Sequence, residues 1–428
     1  MAELFSTEES LERVILIAVT DGEQDEAERS LDELEDLIRT DGAETVGRLI
    51  QRREKPDNGT YFGKGKIEEL RALVFETDAT GVVADDELSP AQMKNLKEAL
   101  DLKVMDRTMV ILDIFARHAV TAEGKLQVEL AQLRYRSAHL EGIRASLSRL
   151  GGGIGTRGPG EQKLEMDRRL IRERISFLRE RLEELLRHRE VTRKSRERQG
   201  AFVVSVVGYT NAGKSTLFNR LTDASILAED KLFATLDPTT RKLTLEGGQE
   251  VLLTDTVGFI RKLPHHLIEA FRSTLEETRY ADLLLHVVDA SNPEADTQMA
   301  VVRRTLQDLN ALEDRELITV YNKTDLTVPD RLPRDPGASG SVRVSALTGA
   351  GMEELLSLIA EAAGKKRRYL EKCFPYSEAG QIQLIRQKGQ LLSEEYTENG
   401  ILVRANVPAD LYGRFGSGAE ESARKAED

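Results

Sequence analysis

Gly208-Tyr209-Thr210-Asn211-Ala212-Gly213-Lys214-Ser215 is the stretch on which the reading of this 428-residue chain turns. It follows the apolar run 202–207 and precedes a helix-forming stretch that begins at Thr216. The pattern G-x-x-x-x-G-K-S carries meaning in that strand-to-helix context. Its glycines let the backbone bend so that successive N–H groups face a chain of phosphates. Lys214 sets a point charge beside the β and γ phosphates, and the Ser215 hydroxyl suits Mg²⁺. The helix that starts here turns its positive end on the same anion. At ordinary residue frequencies such a match arises by chance in about one to two chains per hundred of this length. A plain glycine turn with an exposed lysine would not account for the flanks.

Working outward, the remaining motifs arrive in the order a guanine-nucleotide domain requires. Asp255-Thr256-Val257-Gly258 follows the strand-like 251–254. Asp255 can hold the Mg²⁺ shell, and the Gly258 amide can touch a γ-phosphate. Asn322-Lys323-Thr324-Asp325 follows 317–321. A carboxylate at Asp325 accepts from guanine N1–H and the exocyclic amine; adenine would leave it desolvated and unpaired. Asn322 supports the loop, the Lys323 stem covers the base, and Ser345-Ala346-Leu347 offers an amide to the guanine oxygen. The Mg²⁺-binding threonine of the first switch is sought in 233–241. Thr235 is chosen over Thr239, with Phe233 and Ala234 beside the nucleotide. Lys214, Thr235 and Gly258 are the catalytic candidates, and Ser215, Thr235 and Asp255 the metal ligands. The position after Gly258 is Phe259, where many GTPases carry a water-orienting glutamine. Slow intrinsic hydrolysis is therefore expected. Asn211 has two readings: a K⁺ ligand that substitutes for an arginine finger, or a loop stabiliser.

Beyond the motifs, the formal charge of −13 opposes a uniformly basic nucleic-acid coat, yet the charge is unevenly spread. Residues 117–198 carry 20 basic and 12 acidic side chains, so the rest of the chain holds −21. A basic segment in an acidic protein points to a local polyanion contact; a solvated helical face with i,i+4 ion pairs is the bland alternative. Cys373 is the only cysteine, which excludes intramolecular disulfides and Cys-rich zinc sites and fits a reducing cytosol. No apolar run reaches the ~18–20 residues needed to span a bilayer.

The fold expected is α/β. A P-loop GTPase domain with a mixed, mostly parallel sheet and helices on both faces occupies 199–365. A small α/β domain at 1–116 and a long antiparallel helical hairpin at 117–198 precede it. A small α+β domain with a disordered tail follows at 366–428. In the first domain, strands are expected at 14–19 and 81–84, with helices at 24–39 and from Pro90, capped by Ser89. The hairpin helices, 121–150 and 161–198, keep leucine and isoleucine at helical spacing. They are joined by 151–160, six of whose ten residues are glycine, where neither helix can continue. In the last domain, 398–400 marks a hairpin turn.

Two further segments carry a resemblance. Gly59-Thr60-Tyr61-Phe62-Gly63-Lys64-Gly65-Lys66, and the run 151–169 (GGGIGTRGPGEQKLEMDRR), are similar to those of the HflX family of translational GTPases. The likeness spans nearly the whole chain. It implies a cytoplasmic monomer that binds GTP or GDP with Mg²⁺ and attaches to the large ribosomal subunit and its RNA. It further implies that the hairpin reaches towards the peptidyl transferase centre, that the GTP form splits ribosomes to rescue stalled ones under stress, and that hydrolysis stimulated by the ribosome permits release. The implied ribosome contacts are Gly151, Gly152, Gly153, Ile154, Gly155, Thr156, Arg157, Gly158, Pro159, Gly160, Lys163, Arg168 and Arg169. A ribosome-assembly or docking GTPase without splitting activity is the alternative. For Gly63-Lys64-Gly65-Lys66, an RNA contact, a helix cap and a second nucleotide site such as one for ATP stay open.

Overall fold

The computed structural model describes residues 11–22, 24–150, 159–198, 201–222, 232–233, 239–246, 249–264, 267, 278–313, 315–326, 332–365, 368–407 and 409–416. These form two compact units. One holds Met1–Glu183, Lys231–Phe233 and Lys262–Phe271; the other holds Glu184–Asp230, Ala234–Arg261 and Arg272–Asp428.

The first unit is built on four parallel strands: β1 (Arg13–Thr20), β2 (Glu44–Arg52), β3 (Gly81–Ala84) and β4 (Lys103–Asp106). Their order is β2-β1-β3-β4. β1 buries five residues in succession and β3 all four, because helices cover both faces of a parallel sheet. α1 (Gln24–Asp41) buries Leu31, Leu34, Leu37 and Ile38 on the stripe its periodicity predicts. On the other face, Ile15, Ile17 and Val82 pack with Ile67 and Leu70 of α2 (Lys64–Thr77) and Leu96 of α3 (Pro90–Leu100). The expected cap is present: Ser89 Oγ accepts from the Gln92 amide at 3.3 Å, with Pro90 at the first helical position. The sequence pattern does not announce β2, β4 or α4 (Arg107–His118). β2 is an edge strand of mostly half-exposed polar residues, and β4 has only four residues, so neither shows a strand period.

α5 (Ala122–Leu150) roots in this unit, where the Tyr135 hydroxyl donates to Asp106 at 2.7 Å. α6 (Pro159–Arg198) returns beside it, and Arg174 pairs with Glu129 of α5 at 2.7 Å. At ~1.5 Å per residue, its 40 residues make a rod of about 60 Å. α6 starts two residues earlier than expected. Pro159 lacks only an N–H that a first-turn residue would leave unbonded, so it joins the helix with Gly160 instead of lying in the loop. The tip 151–158 lies outside the described residues.

The second unit centres on a six-stranded sheet, order β10-β9-β8-β5-β7-β6. Its strands are β5 (Phe202–Gly208), β6 (Thr239–Thr244), β7 (Glu250–Asp255), β8 (Leu283–Asp289), β9 (Glu316–Asn322) and β10 (Gly340–Arg343). All pair in parallel except β6, which runs antiparallel to β7. The four apolar runs read from the sequence are β5, β7, β8 and β9. α7 (Lys214–Thr222) follows β5 directly. A separate three-stranded sheet, β11-β13-β12, lies nearer the C-terminus: β11 (Arg368–Phe374), β12 (Gln390–Thr397) and β13 (Gly400–Val407). Thr397 pairs with Gly400, so the expected hairpin turn is made by residues 398 and 399. The expected disordered tail, 417–428, lies outside the described residues. Among the described residues, no helix is long and apolar enough to cross a membrane.

Candidate functional site

The C-terminal ends of β5, β7, β8 and β9 and the residues after β10 carry the motif residues, as expected for a crevice outside the carboxyl ends of parallel strands. The loop 208–213 joins β5 to α7 and points the amides of α7's first turn into this edge, with Thr216 in that turn. Gly213 has φ +89°, and a Cβ there would collide with the Asn322 amide nitrogen. Asn211 is also left-handed, φ 59°, which asparagine tolerates better than most residues.

Asn322, at the end of β9, clasps three loops together. Its Nδ2 donates to the Ala212 carbonyl at 2.9 Å, and its Oδ1 accepts from the Ala346 amide at 2.9 Å. Asp325 accepts from the Ser345 hydroxyl, and that hydroxyl accepts from the Thr348 amide at 3.1 Å. Lys323, held at φ 63°, sends its amine to Asp289 at the end of β8, 2.8 Å away. Leu347 is 72% exposed beside this rim. Sequence reasoning misses Asp289; its one signal is its place directly after the run 283–288.

On the phosphate side, Lys214 is buried and donates to the Tyr209 carbonyl at 2.7 Å. Burial pushes its amine down to about 8, against the opposing pull of Asp255. The Thr210 hydroxyl is buried with no hydrogen-bond partner among the described residues. A buried cation and an orphaned hydroxyl in one glycine-bounded loop are what an anion requires. Ser215 Oγ donates to Asp255 Oδ2 at 3.0 Å, while the Thr256 amide holds Oδ1 at 3.0 Å. Thr256 itself donates to the Val206 carbonyl, fixing the strand end. A hydroxyl and a carboxylate form a hard-oxygen pair that fits Mg²⁺. Thr239 opens β6 and pairs with Asp255, while Thr235 and Ala234 lie outside the described residues. Phe233 belongs to the first unit, where it is buried edge-on against Phe115, ring centroids 4.7 Å apart.

Gly258 closes on this loop: a Cβ there would sit 2.8 Å from Thr210 Cγ2 and 2.9 Å from the Lys214 amine. Next to it, Phe259 is 1% exposed and paired through its main chain. Its amide donates to the Gly208 carbonyl at 3.1 Å, and its carbonyl accepts from the Thr210 amide at 2.8 Å. The Arg261 amide donates to the Tyr209 hydroxyl at 2.9 Å, and the Arg261 side chain pairs with Glu294 at 3.2 Å. The motif gives the loop residue Tyr209, but not the use of its hydroxyl.

Three family models match the chain: "GTP-binding GTPase N-terminal" over 28–116, "GTP-binding GTPase Middle Region" over 118–196, and "50S ribosome-binding GTPase" over 203–323. A protein named GTPase HflX from Lacrimispora saccharolytica is 61% identical over 98% of this chain and 99% of its own length. Another so named, from Caldanaerobacter subterraneus, is 50% identical over 94% of this chain and 93% of its own. A GTP-binding protein from Sulfolobus solfataricus, solved with GDP, is 21% identical with a TM-score of 0.44 and covers 83% of this chain and 99% of its own.

Proposed function

The chain belongs to the HflX family and is a GTP-hydrolysing enzyme, and from that premise we propose that it binds the large ribosomal subunit and, with GTP bound, splits ribosomes into subunits. On this reading it rescues stalled ribosomes under stress in the cytoplasm, acting as a monomer. Hydrolysis stimulated on the ribosome then permits release. The observation that carries the reading is the arm formed by α5 and α6. It sits within a segment of net +8, and α6 exposes Arg169, paired at i,i+4 with the likewise exposed Glu173, beside exposed Met166 and Leu170. Such a rod approaches folded RNA by releasing counterions and meets it through shape and backbone. Arg157 lies within the glycine tip 151–158, and Lys163, Arg168 and Arg169 are the first cations after it.

At the nucleotide, Lys214 and the amides of 213–216 hold the phosphates, and the Gly258 amide senses the γ-phosphate. Asp325 reads guanine, with a backbone amide of the 345–347 loop, Leu347 the one not held by Asn322, at its oxygen and Lys323 over its face. Ser215 and Asp255, with Thr235, would hold Mg²⁺, which would supply positive charge against the nucleotide's phosphates. Asn211 serves the loop turn that its left-handed conformation supports; hydrolysis in KCl against NaCl tests its K⁺ reading.

Sucrose-gradient sedimentation tests the whole. The protein with a non-hydrolysable GTP analogue should convert intact ribosomes to subunits, and replacing 151–160 by a short Gly-Ser linker should abolish this while sparing basal hydrolysis. An unchanged ribosome peak with the protein co-migrating would favour the assembly or docking reading.

A further inference from the structure

Between Asp325 and β10 the chain returns along residues 332–339, and a buried carboxylate pins this return to the GTPase domain. The Asp335 side chain is 1% exposed. It accepts from the Thr319 hydroxyl at 2.8 Å, lies 3.4 Å from His286 Nδ1, and pairs with Arg303 at 2.5 Å. Burial works to raise its carboxyl, but the bonds from His286 and Thr319 and the charge of Arg303 outweigh it and hold the carboxyl below its ordinary range. A charge placed this deep is costly unless its partners hold station, so the carboxylate fixes what it touches.

The partners come from three elements. His286 is on β8 with Thr319 directly opposite on β9, and Arg303 is on α8 (Ala295–Asp308). Two residues further along each strand, Val288 and Tyr321 stand opposite each other. Side chains two apart share a face, so this is the next layer towards the strand ends. It is apolar: Val288, Ala290 and Tyr321 pack with Ala295 and Met299 of α8 and with Leu332 of the return. The Tyr321 hydroxyl donates to the Pro333 carbonyl. Pro333 and Pro336 stiffen the return on either side of Asp335. Gly337 leaves room for the guanidinium, since a Cβ there would lie 2.1 Å from an Arg303 nitrogen.

Tyr321 is the residue before Asn322, and the main chain around it serves both base-side loops. Its carbonyl takes the Val344 amide at 2.8 Å, and the Val344 carbonyl takes the Thr324 amide at 3.2 Å. The Asn322 carbonyl takes the Ala290 amide at 2.9 Å. Ser345, next to Val344, donates to Asp325. A shift of Tyr321 therefore moves the Asp325 carboxylate and its support together.

We propose that Asp335 is a positioning residue for the base. By holding the return 332–339 against β8, β9 and α8 it sets Tyr321, and through Tyr321 the direction in which the Asp325 carboxylate meets the exocyclic amine of guanine. The proposal rests on the guanine reading of Asp325. Inosine lacks that amine, so only guanine registers the direction, while Lys214 holds the phosphates of both nucleotides alike.

The test is the ratio of GDP affinity to inosine diphosphate affinity, measured on the full chain by competition against fluorescent GDP, with a thermal melt of each variant. Asp335→Asn keeps the shape and loses the charge; Tyr321→Phe loses only the hydroxyl. Each should lower the ratio about threefold or more. Val302→Ala opens a cavity on the buried side of α8, so it should lower the melting temperature and leave the ratio alone. Asp325→Ala should abolish the preference. A ratio kept in Asp335→Asn and Tyr321→Phe but lost in Asp325→Ala overturns this proposal and spares the guanine reading. A fall in Val302→Ala as large as theirs overturns it too, by showing that loosened packing is enough. A ratio kept in Asp325→Ala overturns the guanine reading and the proposal with it. Where Asp335→Asn does not fold, Tyr321→Phe decides.

Discussion

Truncating Asn322 to alanine removes the one side chain that ties the phosphate loop to both base-side loops. The residue is 2% exposed, and its two amide bonds, to the Ala212 carbonyl and from the Ala346 amide, are each 2.9 Å. Alanine leaves a buried N–H and a buried C=O without partners, at ~1–3 kcal/mol each. A combined ~2–5 kcal/mol is set against a pocket whose loops must keep register to hold phosphate and base at once. If most of it falls on the binding-competent arrangement, GDP affinity drops ~30-fold or more. The remainder appears as a lowered melting temperature without nucleotide. The assay is fluorescent-GDP titration and dissociation, paired with a thermal melt. An affinity within about threefold of the parent and an unshifted melt, against the ~1–3 kcal/mol per lost partner, would refute the reasoning. It would mean that neither bond is needed to position the loops.

Two further outcomes are expected. Gly258→Ala places a methyl 2.8 Å from Thr210 Cγ2 and 2.9 Å from the Lys214 amine, so the backbone must shift. Single-turnover phosphate release should slow ~10-fold or more, about 1.4 kcal/mol of barrier, with GDP binding kept. At the end of α1, burial, with Asp113 beside it, raises the Asp41 carboxyl to about 6 against the pull of Arg117 and Lys103. The folded chain therefore holds a proton there that the unfolded chain has lost, and stability present below about pH 4 falls away as pH rises through about 6. Asp41→Asn should raise the melting temperature by ~2–5 °C at pH 7.5, allowing ~1–2 kcal/mol for a half-buried group. It should change nothing near pH 4, and equal shifts at both pH values would rule out the carboxyl as the cause.

The central strands of the GTPase sheet were legible because both faces are covered, so each reads as an uninterrupted apolar run. Ser89-Pro90 and the turn before Gly400 were legible because local backbone chemistry alone decides them. β2 escaped because an edge strand with exposed Glu44 and half-exposed Arg48 and Gln51 has no period to detect. The motif residues 208–216, 255–258, 322–325 and 345–347 were brought to one sheet edge by topology, which motif order anticipates. The supports were not legible. Asp289 meets Lys323 and Tyr209 meets Arg261, neither of which any local pattern encodes.

Phe259 stands out in the sequence for the side chain it lacks, yet its main chain matters more. Both its amide and its carbonyl are engaged by the phosphate loop, which turns the ring inward whatever residue stands there. Writing glutamine at 259 would bury an amide group where a ring now sits and would still present nothing to an attacking water. On this account backbone pairing, and not the identity of one residue, keeps position 259 from serving as a water-orienting arm.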